Sequence, residues 1–307
     1  MNTPTLIVIL GPTGIGKTSC AIELAKHFRS PIISGDSRQI FKELKIGTAV
    51  PSQEQLNAVK HYLIGTQSIT QYYSAYEFEQ DVLKLTQELF QQHNPLILAG
   101  GSMMYIDAAC KGIDELPTID AELRDDLFEQ YEKEGIEPFR RMLKQMDAVY
   151  YDQVDLKNHK RVIHAVEVCM MTGVPYSSLR KNKATERPFN LLKIGLNTSR
   201  EKLYKKINLR VDQMISDGLL DEARLFHPQK HLNSLNTVGY KELFDYFDNK
   251  LTLNEAIELI KRNSRRYAKR QIAWFNKDKE TIWFEPLDIE NIIRFVEQTL
   301  KTQKRPV

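Results

Sequence analysis

Residues 11–18 have the composition and spacing of a phosphate-binding loop (P-loop). They match the pattern G-x-x-x-x-G-K-[ST] at every position and read, in order, Gly11, Pro12, Thr13, Gly14, Ile15, Gly16, Lys17 and Thr18. In such a loop, consecutive backbone N–H groups can surround an anion, and the N-terminus of a following helix adds positive potential. Lys17 supplies a full charge, and the Thr18 hydroxyl suits a Mg²⁺ position. The loop therefore predicts a phosphate or pyrophosphate site that includes magnesium.

Asp36 and residues 100–102 are further candidates for the same site. A short apolar run at 6–10 precedes the P-loop and predicts a buried strand, and similar runs end at Asp36 and Ala99. Ligands of open parallel sheets lie beyond the carboxyl ends of the strands, so the P-loop, Asp36 and the Gly-Gly-Ser turn ending at Ser102 would share one edge. From these residues alone, Asp36 could also be a helix cap or a loop acid, and the two glycines could form a plain strand-to-helix turn.

Arg210 lies at the border of the apolar face of a predicted helix that spans residues 199–217. Helical periodicity places it directly beside a stripe formed by Leu203, Ile207, Val211 and Met214. A guanidinium at the border of a core needs an anionic partner, because burying it unpaired is costly. The sequence leaves two partners open, a carboxylate or a bound phosphate.

Two stretches of the chain are locally basic. A predicted helix from Thr252 to Phe275 carries six cations on one half-cylinder without an acid among them: Lys261, Arg262, Arg265, Arg266, Lys269 and Arg270. Such a face is either solvated or bound to a polyanion, and its single sign favours a phosphate backbone. A second cluster, residues 157–164, opens another predicted helix and more often represents a solvated face.

Composition describes an ordinary soluble globular chain. Its 307 residues are 42% hydrophobic and 27% charged, and the net charge of +3 does not by itself indicate nucleic-acid binding. Three widely spaced cysteines exclude a disulfide framework and a zinc site. The first strand begins almost at the N-terminus, which leaves no room for a secretion signal. We expect a cytoplasmic protein without a membrane segment, and a monomer.

The order of predicted elements indicates an α/β protein with a parallel sheet and an inserted helical domain. Strand and helix patterns alternate up to about Gly112, and strand patterns return near Leu191. Between them, residues 114–189 show only amphipathic helical patterns, punctuated by Gly135 and Gly173. We therefore predict a core formed by 1–113 and 190–307, interrupted by an insertion at 114–189.

An ordered set of short motifs resembles the tRNA dimethylallyltransferase family, also called tRNA isopentenyltransferases. The set consists of the P-loop, Asp36-Ser-Arg-Gln39, Gly47-Thr-Ala49, Gly100-Gly-Ser102, Arg210-Val-Asp212-Gln-Met214, Gly239-Tyr-Lys-Glu242 and Tyr267-Ala-Lys-Arg-Gln271 with Trp274-Phe275. Each piece is modest, whereas the whole set in order is specific and runs from about residue 5 to 285. The resemblance implies a P-loop kinase-like core and a bacterial-type enzyme. It further implies transfer of a dimethylallyl group from dimethylallyl diphosphate to N6 of the adenosine 3′ of the anticodon, tRNA position 37.

The resemblance also implies roles for individual residues. It gives Asp36 the place of the catalytic base and puts Thr13 and Arg210 at the pyrophosphate. Contacts to the tRNA anticodon stem-loop are implied for Asp36, Ser37, Arg38, Gln39, Ser102, Arg124, Lys160, Arg161, Val162, Ile163 and His164, and we add Arg265, Arg266 and Lys269 from the basic half-cylinder. Two positions depart from the family pattern, since Ser102 replaces the usual Thr and His164 replaces a common Arg.

Other functions share part of this pattern. An adenylate isopentenyltransferase acting on free AMP or ATP would use the same core, but the helical insertion and the basic half-cylinder favour a macromolecular acceptor. A small-molecule kinase would place ATP in the P-loop and leaves the cations near Arg265 unexplained. A non-catalytic tRNA-binding module would leave the combination of Lys17, Asp36 and Arg210 without a purpose.

Overall fold

A parallel sheet forms the centre of the chain. Its six strands follow the order β3-β2-β4-β1-β5-β6, all neighbours being parallel. The strands are β1 Thr5–Leu10, β2 Ile32–Ser34, β3 His61–Tyr62, β4 Leu96–Gly100, β5 Asn190–Leu196 and β6 Ile282–Phe284. The predicted α/β class is confirmed, and the two-residue β3 is a strand that the sequence pattern did not indicate.

Burial of β1 on both faces explains its uninterrupted apolar sequence. Leu6, Val8 and Leu10 face one hydrophobic cluster, whereas Ile7 and Ile9 face the other. All five side chains are at most 2% exposed, and each contributes about 1.5–3 kcal/mol when it leaves water. A strand buried on both faces needs no polar alternation, as is typical of parallel sheets covered by helices.

Helices account for most of the remaining chain. The computed structural model describes residues 3–117, 120–180 and 185–302. The helices are α1 Lys17–Phe28, α2 Gln53–Ala58, α3 Ala75–Leu89, α4 Met103–Lys111, α5 Ala121–Glu134, α6 Glu137–Met146, α7 Ala148–Gln153, α8 His159–Thr172, α9 Tyr176–Leu179, α10 Arg200–Ser216, α11 Leu219–Phe226, α12 Tyr240–Phe247, α13 Leu253–Phe275 and α14 Ile289–Thr302. In the part of the chain so described, no helix has the length and apolar character needed to cross a bilayer.

Side-chain caps fix where several of these helices begin. Ser74 with Glu77, and Thr252 with Glu255, form the predicted capping boxes of α3 and α13, and Ser199 caps α10. Each capping hydroxyl satisfies a backbone N–H that would otherwise lack a partner, a contribution of roughly 1 kcal/mol. These local signals explain why the three helix starts were predicted correctly.

The chain divides into two compact units. One unit, which we call the core, contains the sheet and comprises residues up to Lys111 and from Glu186 onward, and residues 112–185 form the other, the insertion. The described part of the insertion is helical, without a strand, and packs α5, α6 and α8 around its own apolar centre at Phe139, Leu143 and Val166.

Arg187 holds the point where the chain returns to the core. Its Nε donates to the carbonyl of Ala109 at 3.0 Å, and its Nη2 donates to Glu79 at 2.7 Å and to the carbonyl of Ala108. Both members of the Arg187–Glu79 ion pair are almost completely buried. The two carbonyls belong to the last turn of α4, where a cation satisfies acceptors that the helix leaves open.

Candidate active site

A cavity of about 720 Å³ lies at the carboxyl ends of three neighbouring strands of the core. The P-loop follows β1, Asp36 follows β2, and the turn ending at Ser102 follows β4. Residues from all three segments line the cavity, together with Arg210 from α10. The structure thus brings together the three sheet-edge candidates and the arginine that the sequence had placed on a separate helix.

Glycine is required at Gly14 in the P-loop by both backbone and space. Gly14 has φ +77°, a conformation that side chains rarely adopt, and a Cβ there would lie 3.0 Å from Ile207. The loop passes directly into α1, which begins at Lys17 after Gly16. The first backbone N–H groups of α1 therefore adjoin the cavity, where they favour an anion.

Lys17 is oriented by the loop that it follows. Its Nζ donates to the carbonyls of Gly11 at 3.1 Å and Pro12 at 2.9 Å. An ammonium group has three N–H donors, so one remains for a ligand. Burial lowers the pKa of Lys17 to about 8; the nearby Asp36 carboxylate opposes this shift and the Arg210 guanidinium adds to it. Burial disfavours the charged form of Lys17, so an anion bound beside the ammonium would stabilise it.

The Asp36 carboxylate is anchored through one of its two oxygens. Oδ1 accepts the backbone N–H groups of Arg38 at 2.9 Å and Gln39 at 3.3 Å. Oδ2 has no hydrogen-bond partner among the described residues, and Asp36 lines the cavity. Asp36 therefore caps a turn and not a helix, and it also presents a carboxylate oxygen to the cavity.

Ser102 braces the Asp36 turn from the neighbouring strand. Its hydroxyl accepts the N–H of Ser37 at 2.8 Å and donates to the Ser37 hydroxyl at 3.1 Å. Ser102 is only 7% exposed, although it lines the cavity. The hydroxyl that Ser shares with the family's usual Thr is therefore in use within the protein.

Arg38 and Gln39 also bind neighbouring backbone. Arg38 Nη1 donates to two carbonyls of the segment at 233–234, and Gln39 Nε2 donates to the carbonyls of Thr48 and Ala49. Both side chains line the cavity while they connect the Asp36 turn to two other loops. Their predicted contact with tRNA stays a prediction.

Arg210 projects from α10 into the cavity, and none of the described residues is its counter-ion. The apolar stripe predicted for this helix is confirmed, since Leu203, Ile207 and Val211 are buried. No described residue forms an ion pair with Arg210 within 4.0 Å, although burial lowers its pKa and the more distant Asp36 partly offsets that shift. Of the two partners that the sequence left open, the described chain supplies no carboxylate, so the guanidinium is available for an anionic ligand.

Gln271 is a residue of this site whose importance the sequence reasoning missed. It is 2% exposed, its Oε1 accepts the N–H of Thr13 at 2.8 Å, and its Nε2 donates to the carbonyl of Gly101 at 2.7 Å. Gln271 belongs to the quoted motif of α13, and a buried amide on a helix is the signal that could have singled it out. Its partners lie more than 150 residues away in sequence, so no local pattern identifies them.

The basic half-cylinder of α13 is less uniform than expected. Lys261 forms ion pairs with Asp212 at 2.8 Å and Glu258 at 3.0 Å, so the prediction of a face without acids is wrong. Arg265 is half-buried, donates to Asn208 at 2.6 Å and lies over the Tyr204 ring. Asp212 and Asn208 belong to α10 and are invisible in a projection of α13 alone, whereas Glu258 lies on α13 itself, just before the stretch 261–270.

The remaining cations of α13 are accessible. Arg262, Arg266, Lys269 and Arg270 are exposed, and Arg270 also lines the cavity. These residues carry what is left of the predicted polyanion-binding face.

In the insertion, the predicted contact residues surround a buried acid. Arg124 donates to both oxygens of Glu167, through Nε at 2.9 Å and Nη2 at 2.7 Å. His164 lies 3.2 Å from the same carboxylate, which is 1% exposed. Lys160 and Arg161 are exposed at the start of α8.

Val162 and Ile163 do not fit the predicted contact segment. Their side chains are 0% and 2% exposed and belong to the apolar centre of the insertion. The resemblance implies contacts for the whole run 160–164, whereas α8 turns these two side chains inward. Their burial leaves only backbone atoms of Val162 and Ile163 for the implied contact, which stays a prediction.

Comparisons with known proteins agree with this geometry. A family model described as IPP transferase matches residues 39–278. The tRNA dimethylallyltransferase 2 of Parabacteroides distasonis is 55% identical over 96% of this chain and 99% of its own length. The tRNA dimethylallyltransferase 1 of Bacteroides fragilis is 52% identical over 98% of this chain and its entire length, 100%. The chain belongs to the IPP transferase family.

Solved structures of IPP transferases share the fold. The tRNA isopentenylpyrophosphate transferase of Bacillus halodurans is 33% identical, covers 97% of both chains and superposes with a TM-score of 0.71. A eukaryotic dimethylallyltransferase acting on tRNA has a TM-score of 0.79 over 99% of this chain and 81% of its own, at 21% identity. The second likeness shows the fold alone, and both agree with an α/β core carrying a parallel sheet.

Proposed function

We propose that this chain is a tRNA dimethylallyltransferase. It transfers a dimethylallyl group from dimethylallyl diphosphate to N6 of the adenosine at tRNA position 37, and diphosphate is released. The names of its relatives and its family membership support this function. The observation that carries the proposal is the cavity where Lys17, Asp36 and Arg210 meet, with Arg210 lacking a carboxylate partner among the described residues.

The cationic end of the cavity suits the leaving group. An allylic diphosphate ionises when the negative charge that develops on its diphosphate is stabilised. The N-terminal N–H groups of α1, the free donor of Lys17 and the guanidinium of Arg210 supply that stabilisation from fixed positions. Because these groups are already oriented by the protein, little reorganisation is needed as charge develops.

Asp36 is suited to take the proton that the acceptor amine must lose. The lone pair of N6 is delocalised into the purine ring, so this amine is a weak nucleophile. A carboxylate within hydrogen-bond reach can orient the amine and remove its proton while the new C–N bond forms. Oδ1 is held by two backbone N–H groups, which leaves Oδ2 for the substrate.

Magnesium fits the residues present, although the described chain has no cluster of three or more His, Cys, Asp or Glu side chains that could hold a metal ion. Mg²⁺ commonly uses one or two protein oxygens together with phosphate oxygens of the substrate. Thr18 lines the cavity and would supply a hydroxyl oxygen next to the diphosphate. Bound there, Mg²⁺ would neutralise part of the diphosphate charge.

The adenosine must leave its stack to reach this cavity, at a cost of roughly a few kcal/mol. Contacts to the splayed anticodon loop offset that cost. We assign such contacts to exposed cations of both units: Arg266 and Lys269 of α13 in the core, and Lys160 and Arg161 of α8 in the insertion.

Mass analysis of modified nucleosides tests the function directly. The purified chain, dimethylallyl diphosphate, Mg²⁺ and mixed tRNA are incubated, and the RNA is digested to nucleosides. We expect N6-isopentenyladenosine from tRNA and none from a reaction lacking dimethylallyl diphosphate. Transfer to free AMP but not to tRNA would contradict the proposal and identify an adenylate isopentenyltransferase.

Pyrophosphate binding is expected to weaken above pH 8. Lys17 is charged below its pKa of about 8 and becomes neutral as the pH rises through that value. Loss of one bound proton weakens anion affinity by up to about tenfold per pH unit. Titration calorimetry with inorganic pyrophosphate between about pH 6.5 and 9.5 would measure this loss of affinity. About one measurement per half pH unit is sufficient.

Lys17→Arg is the control for this pH dependence, because its charge does not titrate in that range. The ionisation of pyrophosphate itself affects both proteins equally. Any difference between their pH dependences of affinity therefore arises from the titration of Lys17. If pyrophosphate affinity up to about pH 9.5 declined no more steeply in the unaltered chain than in Lys17→Arg, the assigned role of Lys17 would be contradicted.

Replacing Arg266 and Lys269 together by Ala is expected to weaken tRNA binding and reduce its salt dependence. Each lost phosphate contact should lower the slope of log K against log salt by about 0.7–0.9. Binding to labelled tRNA at several salt concentrations measures this slope. Lys26 and Arg294, exposed cations on α1 and α14, provide a matched double-Ala control. Equal slopes for both double variants would show that the α13 cations are solvated and make no contact with tRNA phosphates.

A further inference from the structure

We propose that Gln271 is a positioning residue that sets the orientation of Lys17 through a single peptide plane of the P-loop. The inference rests on the proposed diphosphate site and adds a residue to it. Gln271 lines the cavity, but both polar atoms of its side chain are hydrogen-bonded to backbone groups. It therefore acts on the backbone that holds Lys17.

The peptide between Pro12 and Thr13 connects the two side chains. Its N–H, on Thr13, donates to Gln271 Oε1 at 2.8 Å. Its carbonyl, on Pro12, accepts from Lys17 Nζ at 2.9 Å. Because a peptide unit is planar and its N–H and C=O point in opposite directions, fixing one end fixes the other. Gln271 therefore determines where the Pro12 carbonyl points, and with it one of the two anchors of Lys17.

Gly101 holds the other end of the Gln271 amide. Nε2 donates to the Gly101 carbonyl at 2.7 Å, so both ends of the amide are hydrogen-bonded to backbone. A Cβ added at Gly101 would lie 2.5 Å from Gln271 Nε2 and 3.2 Å from Lys17 Nζ. Gln271 and Lys17 thus pack against the same glycine, and the absence of a side chain there allows both to approach.

The chemistry of these contacts selects an amide. The N–H of Thr13 needs an acceptor and the carbonyl of Gly101 needs a donor, and a Gln side chain supplies both at one site. A carboxylate would keep the first bond but place an oxygen against the Gly101 carbonyl. A methionine thioether of similar length would fill the space but leave the Thr13 N–H and the Gly101 carbonyl without partners. The loss would be costly because position 271 is only 2% exposed.

Pyrophosphate binding by the full chain tests the proposal without requiring prenyl transfer. We expect Gln271→Met to weaken the affinity for inorganic pyrophosphate by about tenfold. Coupling to Lys17 is the informative readout. In a Lys17→Met background, Gln271→Met should weaken pyrophosphate binding no further, because the Pro12 carbonyl then has no ammonium to position. A residue that merely stabilised α13 would instead add its own loss to that of Lys17→Met. Affinity for tRNA should stay unchanged.

Trp274→Phe serves as the matched control. Trp274 lies on the same helix as Gln271 but does not line the cavity, and the substitution removes one hydrogen bond, which Trp274 Nε1 donates to Asp107 at 2.7 Å. The pyrophosphate affinity of Trp274→Phe should equal that of the unaltered chain. If Gln271→Met fails to fold, Gln271→Glu tests the same contact, and weaker pyrophosphate binding is again expected.

Unchanged pyrophosphate affinity in a folded Gln271 variant, or a loss that simply adds to that of Lys17→Met, would overturn the positioning role while leaving the proposed function intact. Equal changes in the Trp274→Phe control would overturn it as well, because they would show a general effect of α13. If the unaltered chain bound no pyrophosphate, both the diphosphate site and this inference would fail. Failure to form N6-isopentenyladenosine, with pyrophosphate binding retained, would contradict only the proposed function.

Discussion

Asp36→Asn is expected to lower kcat by about 10²–10⁴ and to leave tRNA affinity nearly unchanged. The Asn side chain keeps an oxygen that can accept the N–H groups of Arg38 and Gln39, so the turn should be retained. Its second atom becomes an NH₂ group, which cannot take a proton from the acceptor amine. Single-turnover rates of prenyl transfer, measured with saturating tRNA, together with a tRNA binding curve, separate the two effects.

Asp107→Asn is the control for Asp36. This half-buried acid lies on α4, outside the cavity, and accepts a hydrogen bond from Trp274. Its substitution should leave kcat nearly unchanged. If Asp36→Asn instead weakened tRNA binding as much as it slowed transfer, the base role would be contradicted and Asp36 would be a binding residue.

Arg210→Gln is expected to reduce kcat by about 10²–10³, the usual effect of removing one fixed group that stabilises charge in the transition state. No described carboxylate depends on Arg210 for a partner, so the substitution leaves no acid unpaired. The loss should therefore appear in catalysis more than in stability. Arg210→Lys should restore part of the rate, because a point charge replaces part of the guanidinium field but lacks its bidentate reach.

The measurement for Arg210 compares kcat with the affinity for pyrophosphate. A fall in both indicates stabilisation of the separated charge, whereas a rise in KM at constant kcat would show uniform binding and contradict the catalytic role. Arg200→Gln, an exposed arginine on the same helix that lies over Tyr204, is the control and should leave both quantities unchanged.

The parts of the fold that follow from short-range signals were predictable. The P-loop lies within eight consecutive residues, and the apolar runs of β1, β2 and β4 indicate buried strands directly. The position of Arg210 beside a buried stripe followed from helical periodicity, and the structure confirms that stripe. Parallel topology then places the ends of neighbouring strands together, so the site edge follows from the strands.

What remained hidden depends on contacts between distant segments. Gln271 carries no charge, and its two partners, Thr13 and Gly101, are 258 and 170 residues away in sequence. The acids that pair with Lys261 lie partly on another helix, so its face seemed uniformly basic. For Val162 and Ile163 the local signal was sufficient. Helical periodicity already predicts that both side chains face inward, although the family resemblance implies contacts for the whole run 160–164.

The Arg187 contacts have a consequence for how the core tolerates change. Arg187 fastens the returning chain to the carbonyls of Ala108 and Ala109, just before the chain leaves the core. The two ends of the insertion are thus tied together by the core itself, so the insertion is a closed loop of chain. Each doubling of such a loop costs only about 0.6 kcal/mol in closure entropy. A change in the length of the insertion would therefore cost little closure entropy and would leave the Arg187 contacts in place.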